Sequence, residues 1–407
     1  MNSLSSSKHP QPGTQIDAVL DPVIPELNEL VAKTPGTLSL AQGMVNWAPP
    51  VAVKLAMNNA LLNQESSLNR YGPVRGDPDL LELIKQKLTI QNGLDLAESM
   101  VMVTAGSNMA FHAIAQVLCD PGDEVILPLP YYFNHFMAIQ LAGGVPIPVD
   151  AGLIPNPELI EAAITKRTRA IVTISPNNPS GIVFPQTLLA AINGICAQHG
   201  LLHISDEAYE DFVFGDVPHW SPGSLPGAGN HTVSLYSFSK AYGMAGWRMG
   251  YMSAPIGWSQ ALAKVQDTVL ICPPRFCQRA AIAALLDGSD WVRQNVSQFM
   301  SRYQLLLKRF AASNDRPWRF LHQPNGAFYC LLEVDCGCNG DNLMRQLVRD
   351  YRVATIGGCS FGFKSERCVL RISVGMLEGA ELIEAFDRLE AGLLCMLAWP
   401  NRTCGVG

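Results

Sequence analysis

From Met100 onward, short apolar runs alternate with longer segments whose apolar residues recur at helical spacing. Met100–Val103, Glu124–Leu127, Ala170–Ser175, Leu201–Ser205 and Thr232–Phe238 read as strands, and Arg248–Ser253 as a returning one. Most of these runs end in small or polar residues. Thr104-Ala105-Gly106-Ser107-Asn108 opens the helical stretch MAFHAIAQVL, and further ends carry Asn177-Asn178-Pro179-Ser180-Gly181, Asp206-Glu207-Ala208-Tyr209 and Ser239-Lys240. Strands alternating with helices predict parallel βαβ units, whose ligands bind beyond the carboxyl ends of the strands. Gly106 to Asn108, Asn178, Asp206 and Lys240 all fall at such ends.

The flanking segments read differently. Residues 1 to about 15 are rich in Ser and Pro and are expected to be disordered. A broken apolar helix follows, then Leu38–Gly43, ending in a glycine that lets a ligand approach the backbone. Asn69–Ile84 is a turn leading into a helix whose start is marked by Asp77, Pro78 and Asp79. Beyond Leu285 the pattern turns helical over Asp290–Phe310. Short strands near Ala327–Val334 and Val369–Ser373 follow, with helices around Gly340–Asp350 and Leu377–Leu389. The expected fold class is α/β: a large domain with a mostly parallel sheet between helices, plus a smaller α/β domain. Its expected divisions are a tail (1–15), the N-terminal part of the small domain (16–50), the large domain (51–285), the small C-terminal domain (286–395) and a tail (396–407).

Composition narrows the partners. The net charge of -6, with no run rich in Lys and Arg, argues against nucleic acid. No stretch approaches the ~20 apolar residues that cross a bilayer, and the first residues lack a signal-peptide core, so a cytoplasmic protein is expected. Eleven cysteines are scattered along the chain. The closest pair, Cys336 and Cys338, has the wrong spacing for a C-x-x-C redox or zinc motif, so reduced thiols and no metal are expected.

The candidate chemistry centres on Ser234–Gly250, SLYSFSKAYGMAGWRMG. Lys240 follows a strand-like run on a turn with Ser237 and Ser239 before it and Arg248 after it. An amine nucleophile beside hydroxyls and a guanidinium suits a Schiff base next to a phosphate. Ser237 to Lys240 also matches S-x-x-K, but the S-D-N and K-T-G motifs that accompany it in serine acyl-transferases do not occur. Gly106, Ser107 and Asn108 at a helix N-terminus either bind phosphate or simply cap the helix. Arg371, inside the apolar run CVLRISV, must meet a structural carboxylate or a ligand's. If the phosphate belongs to an aromatic aldehyde, Asp206 can pair with a protonated ring nitrogen, Tyr209 and Asn178 with a phenolate oxygen, and Tyr132 can stack on the ring.

These residues resemble a known family. NNPSG, SDEAY, SFSKAYGMAGWRMGY, NGAFY and VLRISV, in this order along the chain, resemble the motifs of fold-type I pyridoxal-phosphate enzymes, specifically class I/II aminotransferases related to the aspartate, aromatic and kynurenine enzymes. The resemblance implies pyridoxal 5'-phosphate as cofactor and ping-pong transamination between L-amino acids and 2-oxo acids. It makes Lys240 the aldimine lysine, Asp206 the pyridine partner, and Tyr209 and Asn178 the phenolate contacts. Ser107, Asn108, Ser237 and Arg248 would hold the phosphate and Tyr132 the ring. Tyr71 would reach the phosphate of a neighbouring subunit, implying a homodimer, and Gly43, Asn178 and Arg371 would bind substrate. Two departures stand out: the family's P-G-S-x-F-G loop is Gly357-Gly358-Cys359-Ser360-Phe361-Gly362 here, and upstream of Pro273-Pro274 stands Asp267 rather than an arginine for a side-chain carboxylate. A C-S lyase or synthase of the same fold, or a cofactor-binding regulatory module, remains an alternative reading.

Overall fold

The computed structural model describes residues 12–311 and 316–397. Its centre is a seven-stranded sheet built from β2 (Ser99–Thr104), β3 (Glu124–Pro128), β4 (Val145–Val149), β5 (Thr168–Ile174), β6 (Leu202–Asp206), β7 (Thr232–Ser237) and β8 (Gly250–Pro255), in the order β2-β8-β7-β6-β5-β3-β4. The pairs from β7 to β4 are all parallel, and β8 is antiparallel to both β7 and β2. One reversed strand has a useful consequence. Because β8 runs backwards, its first residues lie at the edge where the parallel strands end, so Arg248 joins Lys240 there.

The strands are apolar on both faces because helices cover both. One buried cluster joins Phe111, Ile114 and Leu118 of the helix Ser107–Leu118 to Val125, Val172, Ile204 and Leu235. On other faces Leu80 and Ile84 pack with Val101 and Tyr236, and Leu189 and Ile192 with Ile126 and Ile171. Burying a Val, Leu or Ile side chain contributes about 1.5–3 kcal/mol, so these layers fix which way the strand ends point.

A second, antiparallel sheet has the order β12 (Ile356–Gly357), β13 (Val369–Ser373), β10 (Tyr329–Val334), β9 (Trp318–Phe320). Beside it, β1 (Leu38–Ser39) pairs in parallel with β11 (Val353–Ala354). Leu27, Leu40, Ala41 and Val45 from the chain's early part share one core cluster with Phe310, Leu332, Leu370 and Leu389. That cluster also takes in Phe133, Tyr209, Phe212 and Ala241, so it reaches the edge of the large sheet.

Several local expectations need correction. The stretch expected as tail up to residue 15 already turns helical at Thr14–Asp17, while residues 1–11 lie outside the described residues. The strand expected from Arg248 begins at Gly250, because Arg248 sits at φ 54° in the left-handed region and closes a turn. Ala327, at φ 51°, likewise delays β10 until Tyr329. The helix expected over Gly340–Asp350 is α-helical only to Gln346 and continues as a π-turn, Leu347–Tyr351. The last helix runs Gly379–Leu397, well past Leu389. The rest of the expected C-terminal tail, residues 398–407, lies outside the described residues.

Candidate active site

The turns beyond β2, β3, β5, β6 and β7 meet in a cleft of about 520 Å³ whose walls include Ser107, Asn108, Tyr132, Asn178, Asp206, Tyr209, Ser237, Lys240 and Arg248. These residues come from five separate connections, and the sheet order makes them neighbours.

Ser107 and Asn108 begin the helix Ser107–Leu118, and Gly106 precedes it at φ 86°, ψ 165°, a conformation essentially confined to glycine. A Cβ on Gly106 would lie 2.6 Å from Arg248 Nη2, and one on Gly250 would lie 2.8 Å from Ser107 N. Two glycines therefore let a guanidinium and a strand close onto a helix N-terminus, whose first-turn N–H groups have no intrahelical acceptor. Arg248 donates to Ala245 O at 2.9 Å and to Ala105 O at 3.3 Å, which aims it along this turn. Hydroxyls of Ser107 and Ser237 complete a cationic, donor-rich end of the cleft that suits a phosphate dianion.

At the opposite wall, strand alternation separates two adjacent acids. Asp206, the last residue of β6, faces the cleft and pairs with His135 Nε2 at 3.0 Å. Glu207 points elsewhere, to His219 at 3.0 Å and to Ser221, and is structural. His135 stacks on Phe111 with centroids 3.9 Å apart and meets Tyr132 edge-on at 5.3 Å. Sequence reasoning passed over His135. Its signal was a histidine in an otherwise apolar and aromatic stretch just past a strand end.

Lys240 lies between these walls. Its amine donates to the Gly43 carbonyl and stands 5.9 Å from the Tyr209 ring centre. Burial of the amine lowers its pKa to about 8, with the positive charges of Arg371 and Arg248 acting in the same direction and Asp206 against them. The loop carrying Gly43 is pinned over the lysine by Trp47 Nε1, which donates to Ala241 O at 3.1 Å.

Arg371 is 2 % exposed, on β13. Its Nη1 donates to Asn178 Oδ1 at 2.8 Å and its Nη2 to Ala41 O at 2.6 Å, while Nε has no partner. The rings of Tyr329 and Phe361 flank the guanidinium at 4.5 and 5.2 Å. Among the described residues no carboxylate pairs with it, which removes the structural-carboxylate reading left open above. Phe361 belongs to the loop that lacks the family's proline, and it is fully buried all the same. Asn178 is presented by a loop in which Asn177 Oδ1 accepts from Ser180 N at 2.9 Å and Ser180 Oγ at 2.7 Å.

Tyr209 and Tyr329 share a hydroxyl–hydroxyl hydrogen bond of 2.8 Å. Burial and the neighbouring phenols push the Tyr209 hydroxyl well above its ordinary pKa, so it stays a neutral donor. Tyr329 and the Ala41 carbonyl were further contacts missed from sequence, although both lie in stretches singled out there. Tyr71 stands apart from this group, 79 % exposed on the protomer surface.

Residues 36–389 match the family described as aminotransferase class I and II. An aromatic aminotransferase of Arabidopsis thaliana is 34% identical over 383 residues, 91% of this chain and 93% of its own length. The chain belongs to the class I and II aminotransferases. An aspartate aminotransferase of Pyrococcus abyssi is 32% identical over 92% of this aminotransferase and 96% of its own length. The solved structure of the Thermus thermophilus aspartate aminotransferase with maleate superposes with a TM-score of 0.84 at 28% identity, covering 95% of this chain and 100% of that one. These relatives confirm the expected α/β fold of this aminotransferase, with its mostly parallel sheet and smaller sheet-bearing part. No helix among the described residues is long and apolar enough to cross a membrane.

Proposed function

We propose that this aminotransferase binds pyridoxal 5'-phosphate in the cleft and transfers amino groups from L-amino acids to 2-oxo acids by a ping-pong cycle, with Lys240 as the covalent anchor and proton carrier. The observation that carries this reading is the buried Lys240 amine, held by a backbone carbonyl rather than a carboxylate, lying between a phosphate-type cradle and the Asp206–His135 pair. The residues fit the group. The Gly106 turn, a helix N-terminus, two serines and Arg248 match its phosphate, and Asp206 matches a protonated ring nitrogen. The cofactor, when bound, supplies an aldehyde that condenses with amines and a ring that accepts the electron pair left on the substrate's α-carbon.

The chain's own residues supply the rest. Asp206, held by His135, places a fixed negative charge at the inner end of the cleft, an attraction of about 4 kcal/mol at ~4 Å in an intermediate dielectric. Tyr209 and Asn178 donate hydrogen bonds from the side, and Tyr132 offers a ring face. Arg371, with Asn178 beside it, takes the substrate's α-carboxylate, a planar two-point contact that only a guanidinium supplies. The Lys240 amine, with its pKa lowered to about 8, is partly neutral near neutral pH and can accept the α-proton. Gly43 O, which holds that amine in the structure, borders the same space. We further propose a homodimer in which Tyr71 reaches the partner's phosphate site, and the domain divisions at residues 51 and 286.

Reduction of the cofactor-loaded protein with borohydride, followed by peptide mass mapping, tests the assignment. The cofactor should be fixed on Lys240 and on no other lysine; label on another lysine, or none, overturns it.

A further inference from the structure

Away from the cleft, the smaller sheet brings a thiol distant in sequence, Cys368, to two that are near neighbours, Cys336 and Cys338. Cys336 and Cys338 follow the end of β10, and Cys368 immediately precedes β13. The antiparallel pairing of these strands, with Glu333 opposite Val369, brings the segments together. Val334 N donates to Cys368 O at 2.8 Å, and Cys336 N to Val334 O at 3.1 Å, so the backbone around the thiols is fixed. Cys336 Sγ and Cys338 Sγ stand 3.5 Å apart, and all three sulfurs lie within 4.8 Å of one another.

We propose that Cys336, Cys338 and Cys368 form a three-thiolate site for a thiophilic d10 cation such as Zn²⁺, with its fourth position facing solvent. Zinc–thiolate bonds of about 2.3 Å place sulfurs on one ion roughly 3.8 Å apart, so only side-chain rotations separate the observed cluster from a ligating one. Cys336 and Cys368 line an open groove of about 1140 Å³, which gives an ion a path of entry. The groove's lining balances the carboxylates of Glu333, Asp335 and Glu366 against the guanidiniums of Arg316, Arg319 and Arg367, so the attraction for a cation must come from the thiolates themselves. A disulfide accounts for the cluster less well. Pairing any two sulfurs leaves the third converging on them without purpose, and an S–S bond needs about 2.05 Å. The bound ion would tie the end of β10 to the start of β13, the strand that carries Arg371. It takes no part in transamination, and the inference stands whatever that site's chemistry proves to be.

The test is a titration of the full-length, cofactor-loaded protein, reduced under anaerobic conditions, with Co²⁺ and then Zn²⁺. One Co²⁺ per chain should bind, with an intense thiolate-to-metal charge-transfer band and the visible spectrum of a tetrahedral ion, and Zn²⁺ should erase both. Binding should release protons, since thiols ligate as thiolates. Cys338→Ser, at a partly exposed position, should lower Zn²⁺ affinity at least tenfold, whereas Cys196→Ser, inside the helix Gln186–His199, should leave it unchanged. Absence of the charge-transfer band in the reduced wild-type protein overturns the proposal, as does equal affinity in Cys338→Ser. So does peptide mapping that finds two of the three cysteines joined in a disulfide while the reduced protein takes up no metal.

Discussion

Arg371→Gln separates carboxylate recognition from everything else the cleft does. In the structure the guanidinium uses one donor on Asn178 and one on Ala41 O and leaves Nε unpartnered. A glutamine amide can still satisfy one of those acceptors, so folding should survive the change. What it cannot supply is the paired, charged contact with an α-carboxylate. Hydrogen bonds to charged groups contribute about 1.5–3 kcal/mol each, and allowing for partial replacement by water we expect a loss of about 3–4 kcal/mol. That corresponds to binding of amino acids weakened by about 10²–10³-fold. The same change removes the second-largest cause of the lowered Lys240 pKa, so that pKa should rise above about 8. The assay is the spectral dissociation constant of the cofactor-loaded protein for an amino acid and for the corresponding amine without a carboxylate. The amino acid should lose affinity and the amine should not. Equal weakening of both would refute the role given to Arg371.

Three further expectations follow from the same geometry. Asp206→Asn removes the charge at the inner end of the cleft and should slow the half-reaction with amino acid by about 10²–10³-fold, from the ~4 kcal/mol attraction above, while Lys240 remains labelled by borohydride; a change under fivefold would sink the pairing with the ring nitrogen. Gly106→Ala forces a residue with a Cβ into a glycine conformation against Arg248, at a cost of about 1–3 kcal/mol, and should weaken cofactor binding in a fluorescence titration by about 10–100-fold; unchanged affinity contradicts the cradle. In the cofactor-free protein, reductive trapping of a small aldehyde on Lys240 should rise with pH around a midpoint near 8, since only the neutral amine reacts. At pH 7 about one amine in ten is then neutral, against about three in ten thousand at a lysine's ordinary value of 10.5; a midpoint above 10 removes the case for a lowered pKa.

What was legible in the sequence was local. Continuous apolar runs ending in Gly, Asn, Asp and Ser-Lys located the strand ends, and a parallel sheet brings such ends to one edge whatever its strand order. Hence Gly106, Asn178, Asp206 and Lys240 could be grouped before any coordinates. The misses depend on side chains that meet across distant segments. His135 is assigned only by its 3.0 Å contact with Asp206, and Tyr329 only by its hydroxyl bond to Tyr209. Whether Arg371 answered a protein carboxylate or a ligand's could not be read from CVLRISV, because the deciding fact is which groups surround it. Cys336 and Cys338 looked inert by spacing, and strand pairing supplied Cys368. Boundary errors had a different origin: Arg248 and Ala327 take left-handed backbone angles that residues of their type rarely adopt, so no propensity announces them.

The most direct test of the central claim is the visible absorbance of the cofactor-loaded protein mixed with single L-amino acids and no 2-oxo acid. Transamination through Lys240 predicts that the band of the aldehyde form bleaches to that of the amine form, with one equivalent of 2-oxo acid released per site and no ammonia. A band that persists while ammonia and 2-oxo acid accumulate over many turnovers would contradict it and assign the cleft to elimination chemistry.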